Sequence, residues 1–216
     1  MSRFLVGGLV TILLAGLATP SLATDLVGSG GLGARGGSML FVKDAQLKAD
    51  AKPRLSGDVV FSYVWTDHVT FDLTTGYGWN RLDSGTTDFY LATATPVTVT
   101  TRYFLRDGKK WRPYLAAGGG VYVWSILSRD LGAAKDPQTF ERLRRARPGL
   151  HSLLGMERRM GKHISMTGDA GYHYIFAKDT DSFPSGFNGN KAYAQVRLGV
   201  TFYFSLSERI DTGLPE

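Results

Sequence analysis

Residues 191–204 constrain the fold most, because their side chains alternate strictly between apolar and polar. Successive side chains of a strand point to opposite faces, so this segment has one oily face and one polar face. A soluble sheet would bury the oily face, whereas an outer-membrane barrel turns it to lipid and its polar face inward. The oily face carries Ala194, Val196, Leu198, Val200, Phe202 and Phe204, and the polar face carries Gln195, Arg197, Gly199, Thr201 and Tyr203.

Seven further segments are also interpreted as strands, and the connections between them alternate between long and short. Long loops at one end and short turns at the other are typical of bacterial outer-membrane barrels. Closing the sheet removes its edges, which lipid requires. We therefore predict an all-β fold, an eight-stranded antiparallel up-and-down transmembrane β-barrel over residues 35–204 with both chain ends in the periplasm. The seven segments are 35–42, 55–65, 69–79, 88–105, 112–127, 150–160 and 164–176.

The N-terminus has the features of a secretory signal peptide, residues 1–23. Arg3 provides the positive start, an apolar run follows, and Ser21 and Ala23 are the small residues before the cleavage site. An uncleaved anchor is the alternative, but the run is shorter than the roughly 20 residues that a spanning helix needs. Residues 24–34 are then a Gly-rich periplasmic lead-in, and residues 205–216 form a periplasmic tail.

Composition excludes several classes of protein. The 216 residues include no Cys, which excludes a disulfide scaffold and thiolate metal sites. The net charge of +6 is spread along the chain and does not indicate a nucleic-acid partner. Four His without acidic clustering give no convincing metal site, so we predict no cofactor and no metal.

Alternation places a set of charged side chains on the inward face of the barrel. Eight strands enclose an interior just wide enough for side chains to fill, and charges enclosed there must be paired. We predict an ion-paired plug, with Asp58 or Asp72 beside Arg102 and Glu157 or Asp169 beside Arg197. A narrow polar pore is the alternative. The inward residues are Asp58, Asp72, Arg102, Glu157, Arg159, Asp169, His173, Gln195 and Arg197.

The longest connection, residues 128–147, carries a basic cluster. Asp136 is a good N-cap, Pro137 fits the first helical position and Pro148 would end the run, so a short helix is expected here. Its arginines could bind lipopolysaccharide phosphates, to which the guanidinium geometry is suited; a solvated basic loop is the alternative. The arginines are Arg142, Arg144, Arg145 and Arg147.

Aromatic residues recur near the predicted strand ends, which suits a belt at the two membrane interfaces. In a soluble fold the same residues would form the core. They are Tyr63, Trp65, Tyr77, Trp79, Trp111, Trp124 and Tyr172.

The segment Arg112-Pro113-Tyr114-Leu115-Ala116-Ala117-Gly118-Gly119-Gly120-Val121-Tyr122 resembles a strand of the small outer-membrane barrels of the OmpW/OmpX type. The aromatic-ended segment Val196 to Phe204 resembles the C-terminal signal that such barrels present to the barrel-assembly machinery. Here residues 205–216 follow Phe204, a departure from that pattern. The resemblance implies slow passage of small hydrophobic molecules.

Four functions follow from these observations. We favour a non-enzymatic, monomeric outer-membrane barrel with a charged, occluded lumen that serves envelope structure, surface contact or slow passage of small hydrophobic molecules. Its partners would be lipid and lipopolysaccharide. A small-solute channel is the alternative, and a soluble periplasmic ligand-binding barrel is a third possibility. A lipid A-modifying enzyme is a fourth. The lipid A deacylases carry His-x-Ser, but the residue two after His173 is Ile175, and adjacent strand residues such as His151 and Ser152 face opposite sides.

Overall fold

The computed structural model describes residues 26–43, 51–83, 89–106, 110–128 and 130–206. The predicted signal peptide and residues 207–216 of the predicted tail lie outside these ranges. Within them, no helix has the length and hydropathy needed to cross a membrane.

The described chain is a closed β-barrel of eight long antiparallel strands, which confirms the predicted fold class. Each long strand pairs with its neighbours along the chain, β1 pairs with β9, and the β4–β5 pairing completes the cylinder. The short β2 pairs with β4 at Arg81 and Leu82. The strands are β1 (Ser29–Lys43), β2 (Ala51–Lys52), β3 (Arg54–Val64), β4 (Val69–Asp83), β5 (Phe89–Phe104), β6 (Trp111–Leu127), β7 (Arg144–Arg159), β8 (Ile164–Ile175) and β9 (Lys191–Ser205).

The side chains of β9 show which face points inward. Leu198 is 63% exposed on the outside, whereas Arg197 is 4% exposed inside. The same inversion holds at mid-strand elsewhere: Val99 is exposed, and its neighbour in sequence, Thr100, is buried. The barrel therefore has an apolar exterior and a polar interior, opposite to a soluble protein.

The connections define two different ends. The connections from β3 to β4, from β5 to β6 and from β7 to β8 are short in sequence, and we call their end of the barrel the short-turn end. The first and last described residues also lie here, since Gly28 N donates to Val64 O over 2.8 Å and Tyr203 N donates to His163 O over 2.6 Å. The remaining connections meet at the opposite, long-loop end.

The first strand begins at Ser29, six residues before the predicted start at Arg35. The prediction missed this part because glycines leave no side-chain alternation to detect. Those glycines allow close contact with β9: a Cβ on Gly33 would lie 2.7 Å from the carbonyl oxygen of Val200. Part of the predicted lead-in is thus barrel wall.

Pro96 interrupts the ladder between β4 and β5. Pairing runs from Val69 to Thr75, stops opposite Pro96 and Thr95, and resumes at Gly78 in the same register. Proline has no backbone N–H to donate, so a gap in the ladder is the expected consequence.

Candidate functional site

The centre of the barrel contains a closed ring of two arginines and two aspartates. Arg35 Nε lies 2.7 Å from Asp58 Oδ1, and Arg197 Nη1 lies 3.0 Å from Asp58 Oδ2. Arg197 Nε contacts Asp169 Oδ1 at 2.7 Å, and Arg35 Nη1 completes the ring at 3.7 Å from Asp169 Oδ2. Four strands, β1, β3, β8 and β9, are thereby linked through their inward side chains.

A second group of charges joins the ring on the short-turn side. Arg102 lies 2.8 Å from Asp72 and 3.2 Å from Glu157, and Arg112 contacts the other oxygen of Glu157 at 3.3 Å. Arg35 approaches Asp72 at 3.8 Å, which connects the two groups. Because all four of these carboxylates are buried, their arginine partners offset a desolvation cost that would otherwise be several kcal/mol per ion.

All residues of the predicted interior network are buried. The sequence left two pairings undecided. Arg102 is paired with Asp72 and not with Asp58, and Arg197 is paired with both Asp169 and Asp58. Gln195 donates to Ser56 Oγ over 3.0 Å, and Arg159 lies at the edge of the network, 3.9 Å from Glu157. The buried set is Asp58, Asp72, Arg102, Glu157, Arg159, Asp169, His173, Gln195 and Arg197.

Sequence reasoning missed two members of the network, Arg35 and Arg112. Arg35 is at the predicted start of β1, and the glycines around it do not show which face of the strand points inward. Arg112 alternates with Tyr114 and Ala116, both buried, and that spacing was the available signal.

A layer of histidine and tyrosine lies next to the charges, toward the long-loop end. The hydroxyl of Tyr122 is 3.0 Å from His151 Nδ1 and 3.1 Å from His173 Nδ1. Thr100 Oγ1 lies 2.8 Å from His151 Nε2, and the ring of Tyr193 stacks on His173 at a centroid distance of 4.4 Å. One hydroxyl thus serves both imidazoles and fixes their positions.

Replacing Tyr122 by phenylalanine is expected to lower the free energy of unfolding by about 1–3 kcal/mol, because two buried imidazole nitrogens lose their partner. Urea unfolding of the folded barrel in lipid measures this value. Tyr103→Phe is the matched control, since Tyr103 is exposed on the outer wall; its effect should stay within about 0.5 kcal/mol. Equal stability of the two variants would contradict the assigned role of Tyr122.

An apolar plug fills the interior at the long-loop end. The rings of Trp124 and Phe183 meet edge to face at 5.6 Å, and both side chains are fully buried. Lys191 Nζ lies 3.9 Å from the Trp124 ring centre and donates to the carbonyls of Phe187 and Gly189 over 2.7 and 2.9 Å. Trp124 is therefore part of the plug, and its prediction as a belt residue was wrong. Burial stops alternating at the end of β6, where the outward Ser125 is buried as well as the inward Trp124 and Ile126.

The predicted helix in the longest loop does not form. Asp136 Oδ1 accepts hydrogen bonds from the amides of Gln138 and Thr139, as an N-cap would, and Phe140 N donates to Asp136 O over 2.9 Å. The chain leaves the turn at Phe140, whose φ is 57°. It then pairs Lys135 with Arg142 and enters β7 at Arg144. The hydrogen bonds of an N-cap are therefore present without a helix, because the residues that follow pair as an extension of the sheet.

Asp136 also ties this loop to the loop before β9. Its two carboxylate oxygens accept from Ser185 Oγ over 3.1 Å and from Ser185 N over 3.3 Å. Burial raises the pKa of Asp136, whereas hydrogen bonds from Gln138, Thr139 and Ser185 lower it. The hydrogen bonds together have the larger effect, so the pKa of Asp136 is below its usual value.

Acid is expected to loosen these two loops. Since the folded state depresses the pKa of Asp136, its stabilisation is complete above the unfolded pKa of about 3.9 and is lost as pH falls through the lower folded pKa. Limited proteolysis by pepsin between pH 4.5 and 2 should therefore show new cleavage near residues 136–140 at the acid end. Asp136→Ala should be cleaved there across the whole range, and a wild-type pattern for this variant would contradict the assignment.

The four arginines predicted to contact lipopolysaccharide separate into two pairs. Arg145 lies 3.2 Å from Glu141 and 3.7 Å from Asp179, and Arg147 lies 2.9 Å from Asp179. Arg142 and Arg144 are exposed, and they have no carboxylate partner in the described part of the chain. Of the four arginines, only Arg142 and Arg144 have a charge that no carboxylate among the described residues offsets.

The described residues do not assemble an obvious reaction or metal centre. His151 is buried inside the barrel, whereas Ser152 is exposed on the outer wall. Within the same ranges, no group of three or more His, Asp or Glu could hold a metal ion.

Comparisons with known proteins show the fold. Neisserial surface protein A superposes with a TM-score of 0.58 and 12% identity over 82% of this chain and 99% of that one. The chain has the fold of a small outer-membrane β-barrel. OprG from Pseudomonas aeruginosa (TM-score 0.49, 13% identity, 85% and 99% coverage) and Ail of Yersinia pestis (0.48, 14%, 82% and 99%) are also similar in structure. No protein-family model matches the sequence, and no curated protein matches it either.

Proposed function

We propose that this barrel is a non-enzymatic component of the outer membrane, with an occluded interior and a role in envelope structure or surface contact. Both chain ends would lie in the periplasm and the long loops outside. The ion-paired ring of Arg35, Asp58, Arg197 and Asp169 is the observation that carries the proposal, since it crosses the interior at mid-barrel.

The outer wall supports placement in lipid. Its outward side chains are large and apolar and are 49–63% exposed at mid-strand, as at Val99, Leu198 and Val200. Such a surface is costly in water and favourable against acyl chains. The long strands have 11–17 residues, enough for the ~9–11 that a tilted strand needs to cross the bilayer.

Three successive layers support an occluded interior: the charges, the Tyr122–histidine layer and the Trp124–Phe183 plug. A cavity beside Asp58, Gln195 and Arg197 has a volume of about 10 Å³. That is about the space of one water-sized probe, so a solute does not fit there.

The finer expectations belong to the same proposal. The OmpW/OmpX resemblance suggests slow passage of small hydrophobic molecules, and the terminal aromatic strand suggests recognition by the barrel-assembly machinery. A monomer suits a barrel that satisfies its own edges. The uncompensated Arg142 and Arg144 make lipopolysaccharide the expected partner at the long-loop end.

Purified, folded protein is expected to show no unitary conductance in planar bilayers. The charge-balanced variant Asp72→Ser with Arg102→Ser serves as the comparison, because it empties part of the central layer while Glu157 keeps Arg112 at 3.3 Å. Because the Tyr122–histidine layer and the Trp124–Phe183 plug remain, this variant should stay closed as well. Steady channels from the wild-type protein would favour the small-solute channel, and release from the membrane pellet by carbonate would favour a soluble barrel.

A further inference from the structure

We infer that the outer wall at the long-loop end binds a phosphorylated lipid, with its phosphate at Arg144 and an acyl chain in the adjoining groove. This inference rests on the proposed placement of the barrel in a membrane. It names a single site, whereas the sequence offered only a basic cluster.

The floor of the groove is polar. Thr93 on β5 and Ser125 on β6 lie opposite each other, both facing outward. Thr93 Oγ1 donates to Ser125 O over 3.2 Å. Ser125 is 6% exposed, and its Oγ has no hydrogen-bond partner in the structure. A buried hydroxyl without a partner costs about 1–3 kcal/mol, so the floor of this groove is an energetically costly part of the wall.

The sides of the groove are apolar and its size suits a single chain segment. Val123 and Leu127 from β6 lie on one side, and Leu131 from the following loop forms the lip. The groove volume is about 240 Å³, below the ~300 Å³ at which pockets for whole drug-sized molecules begin. Leu131 is 67% exposed and has a φ of 59°, an unfavourable backbone conformation for a leucine.

Arg144 lines this groove and also a second, open cleft of about 460 Å³ beside it. The cleft adds Lys135, Arg142 and Phe140, together with Glu141, whose carboxylate is paired with Arg145 at 3.2 Å. An arginine fork suits a phosphate, which it can bind through two parallel hydrogen bonds. One cation therefore faces both an apolar groove and a basic cleft, which is the arrangement that a lipid with an anionic headgroup requires.

Phe140 extends the apolar surface at the mouth of the cleft. It is 72% exposed, and its φ of 57° is a strained conformation for an aromatic residue. Strain of this kind costs about 1–3 kcal/mol and tends to be kept where it serves binding. The cleft is nearer to the long loops than the groove is. With its phosphate in the cleft, a bound lipid would therefore point its acyl chain along the groove toward the middle of the bilayer.

The test uses full-length folded barrel in zwitterionic detergent, titrated with bis-phosphorylated lipid A and monitored by native mass spectrometry. Arg144→Gln should weaken the apparent Kd by about 10-fold to 100-fold, the range expected for a charge-assisted hydrogen bond of about 1.5–3 kcal/mol. Arg144→Lys should restore part of the affinity. Leu131→Ser should weaken binding of lipid A. Lys162→Gln, an exposed lysine at the short-turn end, is the matched control and should leave the Kd unchanged.

Two ligand arms identify the source of the phosphate. Dephosphorylated lipid A should bind as weakly to wild type as lipid A binds to Arg144→Gln, and inorganic phosphate at equal concentration should not compete. Competition by phosphate alone would overturn the lipid assignment in favour of a free-anion site. Equal lipid A affinity of wild type and Arg144→Gln, with both folded by circular dichroism, would overturn the site itself.

Failure of this inference and failure of the proposed function are distinguishable. A barrel that stays in the carbonate-washed membrane pellet and shows no Arg144-dependent binding rejects only the lipid site. A chain that leaves the pellet rejects the proposed function, and the lipid site with it.

Discussion

Replacing Arg197 by methionine is expected to destabilise the folded barrel by about 3–5 kcal/mol, because it leaves buried carboxylates without their main partner. Arg197 contacts Asp58 at 3.0 Å and Asp169 at 2.7 Å, and all three side chains are almost fully buried. Arg35 would remain as the single cation of the ring for two aspartates. Urea unfolding in lipid vesicles, followed by tryptophan fluorescence, measures the loss.

Two variants separate the missing charge from the changed shape. Arg54→Met alters an exposed arginine near the long-loop end and should change the free energy of unfolding by no more than about 0.5 kcal/mol. The charge-balanced double variant Arg197→Met with Asp169→Asn should recover much of the loss, since Arg35 and Asp58 then remain in the ring as a pair at 2.7 Å. If Arg197→Met alone were as stable as wild type, the ring would not stabilise the barrel.

Replacing Leu198 by arginine is expected to cost about 2–4 kcal/mol in a bilayer, the range for a cation on the lipid face of a barrel near the membrane midplane. Leu198 is 63% exposed and lies at the middle of β9, between the outward Val196 and Val200. Since the side chain has no packing to lose inside the barrel, the cost would come from the surrounding lipid. Unfolding in phosphatidylcholine vesicles gives the value.

A second position on the outer wall provides the control. Leu105 is 54% exposed and directly follows β5 at the short-turn end. Arginine there can reach the headgroups, so Leu105→Arg should cost only about 0–1 kcal/mol. Equal costs at Leu198 and Leu105 would argue against a bilayer around this wall.

The Arg197 and Leu198 variants test the interior and the exterior of the barrel separately. The exterior is the basis of the proposed placement in a membrane, and the interior is the basis of the proposed occlusion. The charge ring, the histidine–tyrosine layer and the plug each contain groups that need the other strands for their hydrogen bonds, so the contents of the barrel also hold its wall together. Such an interior suits a structural or surface role better than conduction.

Alternation alone determined the class of fold and the facing of most side chains. The period of two is a property of the strand backbone, so Asp72, Arg102 and Arg197 could be placed inside without knowing which strands pair. The rule failed at the glycines before Arg35, where no side chains report the period. Trp124 shares the inward face with Tyr122, so its prediction as a belt residue was wrong because it rested on the nearby strand end and not on alternation.

The loops illustrate a different limit. Asp136 and Pro137 are a valid helix start, and the local hydrogen bonds of a cap are present, yet the chain continues as sheet. The decisive contacts come from residues distant in sequence: Ser185 holds Asp136, and Ile126 N donates to Leu143 O over 2.8 Å. Local propensity is a weak preference that such contacts override.

The oily exterior and the charged interior could be predicted from the sequence, because each depends on neighbouring residues along one strand, and the alternation of long and short connections follows from the spacing of the strands. Three features required the folded barrel: which charges share a ring, which hydroxyl bridges the two histidines, and which of the loop arginines have no carboxylate partner among the described residues. Those outcomes depend on the register between strands, and a register is set by all the pairings around the closed barrel together.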